Sequence, residues 1–169
     1  GSVTGFHSQA DDMIRSPLDD LLYQNVGSFH ARGLESDLRL ALTERFEVGF
    51  VHAWVRAEDG EGRAYRDFPA QSCALFLQAT ARSGLRLRLA GSWQGESPRT
   101  PDDPRAAAPG HFVTDLSFSA PLPGSGLQLR VSTFNLFDVD HAYPAAEDPI
   151  PDDYPAPGRS LMIGLRAVR

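Results

Sequence analysis

Apolar and polar residues alternate with a period of two along most of this chain. From Leu34 to Leu42, Leu34, Leu38, Leu40 and Leu42 oppose Glu35, Asp37 and Arg39. Phe46, Val48, Phe50 and Trp54 alternate with Glu47, Gly49, Val51 and Ala53, and Cys73, Leu75, Leu77 and Ala79 share one face of the next run. Leu85, Leu87 and Leu89 alternate with Arg86, Arg88 and Ala90; Phe112, Thr114, Leu116 and Phe118 alternate with Val113, Asp115, Ser117 and Ser119. Successive side chains leave a pleated strand on opposite sides, so this period predicts strands with one apolar face. Together with runs from Leu127 and Leu161 and a weaker first strand from about Val3 to Ile14, about eight strands are expected. No stretch reads as an amphipathic helix, and "SPLDDLLYQ" has room for one turn at most.

The connections alternate between short and long. Thr43–Arg45, Arg82–Gly84 and Pro121–Gly126 are short, whereas Arg15–Gln24, Glu58–Ala70, Glu96–Gly110 and Asp138–Gly158 are long or intermediate. In an antiparallel meander this puts every long loop at one end. A soluble sandwich has no reason for that arrangement, but an outer-membrane barrel has short turns on one side and long loops on the other. Its strands need only about 9–11 residues to cross the bilayer when tilted. Trp54, Trp93, Phe112 and Phe137 fall at the long-loop ends, where an interfacial aromatic girdle is expected.

Charge follows the same division. The four long connections carry a net charge of -10, while the whole chain carries -6, so the remainder is +4. All 16 basic residues are arginine. The acidic balance argues against a nucleic-acid partner held through phosphates. The 169 residues are consistent with one domain, and the one cysteine, Cys73, leaves no internal disulfide. It lies on the apolar face of its run, as a small hydrophobe. The opening residues lack the charged and apolar segments of a signal peptide. Either the chain is cytosolic, or its N-terminal part lies outside it.

Enzyme signatures are missing. "GSWQG" puts Trp93 at the centre of what would be a nucleophile elbow, and there is neither a His-Glu-x-x-His nor a phosphate-binding glycine loop. His7, His30, His52, His111 and His141 are scattered, and adjacent pairs such as Asp11–Asp12 would point to opposite faces of a strand. No enzymatic activity and no cofactor are expected.

"NLFDVDHAYP" and "PGRSLMIGLR" resemble the closing hairpin of TonB-dependent outer-membrane receptors. There Asn-Leu-Phe-Asp ends the penultimate strand and Gly-Arg opens the last; here these are Asn135, Leu136, Phe137 and Asp138, then Gly158 and Arg159. "YQNVGSFHARGLESDLRLAL" is similar to the family's Asn-x-Gly…Gly-Leu-Glu strand, carried by Asn25, Gly27, Gly33, Leu34 and Glu35. The resemblance spans nearly the whole chain. Family barrels have about 22 strands around a plugged lumen, so residues 1–169 are expected to be the C-terminal portion of the barrel domain. The plug and the earlier strands then lie outside this chain.

The resemblance implies an all-β antiparallel meander from a transmembrane barrel in the cell outer membrane. It implies energised uptake of a scarce nutrient, most often a ferric siderophore, with the bilayer, a plug domain and the TonB energy-coupling protein as partners. Arg39, Arg86, Arg88, Arg130 and Arg166 have the parity opposite to the leucines and are expected to face the lumen. There they would meet Glu35, Asp37, Glu47 and Asp115 from neighbouring strands, the plug, or an anionic ligand. Glu147, Asp148, Asp152 and Asp153 read as a solvated acidic stretch, with a divalent cation held by hard oxygen ligands as the other use. Two rival architectures use the same alternation: a closed eight-stranded structural or adhesive barrel, and a soluble β-sandwich binding module.

Overall fold

The computed structural model describes residues 1–12, 14–15, 24–25, 27–60, 62, 64, 69–99, 103–145 and 152–167. The stretch 16–24, which has room for one helical turn at most, falls almost wholly outside them. Eight strands form one antiparallel sheet: β1 (Ser2–Ala10), β4 (Phe29–Ala41), β5 (Phe46–Asp59), β6 (Gln71–Thr80), β7 (Arg86–Gln94), β8 (His111–Leu122), β9 (Leu127–Phe134) and β12 (Ser160–Ala167). Two-residue ribbons extend two of the long connections, β2 (Ile14–Arg15) with β3 (Gln24–Asn25) and β10 (Ala142–Tyr143) with β11 (Tyr154–Pro155). The all-β meander expected from the alternation is the fold observed.

Three boundaries differ from the expectation. β1 stops at Ala10 and Ile14 pairs separately with Asn25, because Asp12 takes a left-handed φ of 55° that ends the extended run. β4 starts at Phe29 rather than Leu34, and β5 continues to Asp59; their register extends without a break to Phe29↔Asp59. The alternation was obscured there because His30 and Arg32 occupy positions that lower in the strand hold leucine. Thr43 closes the β4–β5 turn, its hydroxyl accepting from the Arg45 and Phe46 amides at 3.1 Å. Gly84 and Gly126 supply the positive φ of the other two short turns.

Cross-strand partners share a face, so the register assigns sides. One row runs Leu40–Val48–Leu77–Leu89–Leu116–Thr133–Leu161 through seven strands. Leu38, Leu87, Leu129, Val131, Ile163 and Leu165 lie on the same face, as the leucine parity predicts. The opposite face carries Glu35, Asp37, Arg39, Glu47, Arg86, Arg88, Asp115, Arg130 and Arg166.

Neither face has a core beneath it. The accessible surface is 11788 Å², against about 8,200 Å² expected for a compact chain of this mass. The buried apolar residues among those described are three alanines, Ala31, Ala108 and Ala145. A second sheet layer would bury the leucine face, and no such layer is present among the described residues. β1 and β12 each pair on one side only, so the described sheet is an open wall, not a closed eight-stranded barrel.

Candidate functional site

The polar face gathers cations near the short turns. Arg86 pairs in register with Ser119, which pairs with Arg130, which pairs with Gly164. One row away, Gln78, Arg88, Ser117 and Ser132 align, with Glu47 opposite Gln78. Arg86, Arg88, Arg130 and Arg166 line a groove of about 320 Å³ with Gln78 and Gln128. The guanidinium of Arg88 lies 3.7 Å above the Phe76 ring. That ring covers Gly49, where any β-carbon would collide with it.

The cross-strand ion pairs expected on this face do not form among the described residues. Arg39 approaches Asp37 of its own strand at 3.7 Å, with both side chains exposed. Glu47 accepts from Gln78 at 3.4 Å, and Asp115 accepts the Asn135 amide at 2.9 Å. The register explains the correction. Glu47 lies two strands from Arg88 in its row, and Asp115 shares its row with Ala90, not with an arginine. Arg86, Arg88, Arg130 and Arg166 therefore present positive charge without a paired carboxylate among the described residues of the wall.

The Asn-Leu-Phe-Asp and Gly-Arg segments build the junction where the sheet passes into its longest loop. Asn135 is buried and takes a left-handed φ of 49°, which ends β9. Its carboxamide donates to the Val139 carbonyl at 2.9 Å and accepts the Val139 amide at 2.8 Å. The Leu136 amide donates to the Thr114 carbonyl at 2.7 Å, while Phe137 stays exposed. Asp138, also left-handed, accepts the Arg159 amide at 2.7 Å and so fixes the start of β12. Gly158 leaves room for that carboxylate, since a β-carbon there would stand 3.0 Å from Asp138 Oδ1. Gly33 lies under the Phe6 ring, and Glu35 follows it two residues on along the polar face.

Sequence reasoning missed an ion-pair clamp between two long loops. Arg99, in the β7–β8 loop, makes a bidentate pair with Asp153 of the β9–β12 loop at 2.9 and 2.7 Å. Arg105 forks onto Asp103 at 2.6 and 2.9 Å and also donates to the Ala145 carbonyl at 2.8 Å. The Ala145 amide returns to Asp153 at 3.2 Å. The side chains of Arg99 and Asp103 are only 8% and 3% exposed. Hydrogen bonds from Arg105 hold the Asp103 carboxyl down at about 2, and those from Arg99 lower Asp153. Asp153 is thus engaged by arginine. Asp152 is exposed, and Glu147 and Asp148 lie outside the described residues. Among the described residues no group of three His, Cys, Asp or Glu side chains is placed to hold a metal ion. The clue in the sequence was charge: the two arginines of "SPRTPDDPR" sit beside a loop of net charge -6.

The clamp should resist acid. Both carboxyls are lowered in the folded state, so their pairing is fully present above the ordinary carboxylate range and is lost only as pH falls below it, for Asp103 toward about 2. Spin labels at Ala107 and Tyr154, both exposed, should report one narrow inter-loop distance from neutral pH down through the ordinary carboxylate range. The distribution should broaden only under more strongly acidic conditions. Broadening already near neutrality would mean that the pairs do not hold the loops.

A single open wall, apolar on one side and charged on the other, with its long loops at one edge, defines a segment of a β-barrel. Its fold is that of the barrel of TonB-dependent receptors. No family model matches the chain, and no curated protein matches it. Solved structures do. The chain is similar to a mutant of the ferric enterobactin receptor PfeA from Pseudomonas aeruginosa, with 19% identity, a TM-score of 0.78, and 96% of this chain covered against 28% of that one. It is similar to the ferric yersiniabactin uptake receptor FyuA from Yersinia pestis, with 18% identity and a TM-score of 0.78, covering 96% and 26%. It also resembles the copper transporter OprC, at 17% identity and a TM-score of 0.74, covering 96% and 28%. The chain thus spans about a quarter of the length of the structures it matches.

Proposed function

We propose that residues 1–169 are the C-terminal part of the barrel wall of a TonB-dependent receptor in the cell outer membrane. The receptor takes up a ferric siderophore or a similar scarce metal complex, driven by the TonB protein. The observation that carries this reading is the two-faced open sheet with all long loops at one edge. The leucine face meets lipid. The arginine face meets a plug domain, whose carboxylates would neutralise Arg86, Arg88, Arg130 and Arg166. Arginine suits that role because its planar fork pairs with two carboxylate oxygens and stays charged when partly buried. The long loops form the ligand entrance, and the Arg99–Asp153 clamp holds two of them together.

Cells carrying the intact receptor should accumulate one labelled ferric siderophore, or copper, from a panel that also includes cobalamin. Accumulation should cease when the energy-coupling protein is deleted. Uptake of every substrate at the rate of receptor-free cells would overturn the proposal. Replacing Arg86 and Arg88 with glutamine should speed release of the plug under denaturant while leaving ligand affinity within about threefold. Collapse of affinity with an unchanged plug would reassign these arginines to ligand capture.

A further inference from the structure

The leucine face does not stay apolar to its upper end. The row Leu34–Trp54 is followed, two residues nearer the long loops, by a row in which Arg32 stands directly opposite Arg56 and His7 stands directly opposite Arg32. Two residues higher again, His30 stands opposite Glu58 and Gln9. Two residues along a strand are about 6–7 Å. These cations therefore lie just beyond Trp54, while Trp93 and Phe112, on the same face, stand in the row of His52, two residues nearer the short turns.

Two arginines facing each other across an antiparallel pair repel, and the register places both on the leucine face. Glu58 answers only one of them: Arg56 Nε donates to its carboxylate at 2.7 Å. Arg32 is exposed and makes no ion pair among the described residues. β4 and β5, at 13 and 14 residues, are also the longest strands, and their extra length is what carries this row past the aromatic belt. A belt of aromatics sits at headgroup level in barrels of this kind. The next row outward is therefore at the height of lipid phosphates, and guanidinium forks match phosphate oxygens.

We infer that Arg32 and Arg56, with His7 beside them, form a docking site for the phosphate of a phosphorylated lipid headgroup in the leaflet on the long-loop side. The inference rests on the membrane reading of the leucine face given above. The bound phosphate bridges the two guanidinium groups and removes their mutual repulsion, while the acyl chains lie on Leu34, Leu38 and Leu40 below.

The test uses the intact receptor in nanodiscs and, by native mass spectrometry, in neutral detergent. The probes are phosphatidic acid, its phosphate-free counterpart diacylglycerol, and inorganic phosphate. The wild type should retain phosphatidic acid roughly tenfold or more tightly than a receptor carrying Arg32→Gln and Arg56→Gln, since each surface cation contributes about 1 kcal/mol toward an anionic lipid. Diacylglycerol should bind both receptors equally weakly. Unchanged heat-modifiable gel mobility will show that the double variant still folds. Equal retention of phosphatidic acid by both receptors overturns the site. Displacement of the lipid by an equal concentration of inorganic phosphate overturns the lipid assignment. A nitroxide on a Leu38→Cys variant separates the two levels of the claim: contact with water instead of lipid-dissolved oxygen there sinks the membrane reading itself. Lipid contact with equal retention sinks only the phosphate site.

Discussion

Placing an arginine at Leu89 should destabilise the intact barrel by roughly 2–4 kcal/mol, whereas an arginine at Ala90, the next residue, should cost less than about 1 kcal/mol. Leu89 is 41% exposed in the wall and sits mid-strand between Leu77 and Leu116. On the membrane reading that exposed surface is solvated by acyl chains, and a guanidinium there must either be desolvated or drag water inward. Ala90 points to the other face, directly opposite Asp115, so an arginine placed there gains a carboxylate neighbour. Leu77→Arg should behave like Leu89→Arg, because the two residues are register partners. Denaturant titration of the receptor refolded into lipid vesicles measures both members of the pair. Similar costs at positions 89 and 90 would mean that the two faces do not see different solvents. The reverse ranking would turn the wall inside out.

That contrast was already present in the alternation of Leu85, Leu87 and Leu89 with Arg86, Arg88 and Ala90, because parity within a strand is a local property. The sidedness of the loops was equally accessible, since an antiparallel meander converts alternating short and long connections into two different edges. What local reasoning could not supply was register. It expected the arginines of the polar face to meet Glu35, Asp37, Glu47 and Asp115, the plug or an anionic ligand, and which carboxylates share a row with them depends on five strand pairings at once. It missed the upper third of β4 and β5 because His30, Arg32, Arg56 and Glu58 break the hydrophobic pattern while continuing the ladder. The Arg99–Asp153 clamp joins residues 54 apart in sequence across two proline-rich loops, where no periodicity operates. The Asn-Leu-Phe-Asp segment was legible as a motif and opaque as a device. Its family resemblance marked the place, and only the backbone angles show what the asparagine does there.

Asn135→Ala should lower the stability of the barrel by about 2–4 kcal/mol, and Asn135→Gly should cost roughly 1–2 kcal/mol less than that. The side chain makes a reciprocal pair of hydrogen bonds with the Val139 amide and carbonyl in a site that is only 3% exposed. Either truncation strands those two backbone groups, at about 1 kcal/mol or more apiece. Alanine carries a second cost that glycine avoids, because φ at this position is 49°, a region that asparagine tolerates better than other side chains and glycine enters freely. The difference between the two variants therefore isolates backbone strain, while the cost common to both isolates the lost hydrogen bonds. Hydrogen exchange should place the loss: the amides of Leu136, Val139 and Arg159 should lose protection together, since Asp138, three residues on, holds Arg159 at the start of β12. Equal losses for alanine and glycine would remove the left-handed turn from the explanation. Loss of protection confined to Val139 would show that the last strand is anchored by its ladder to β9 and not by the junction.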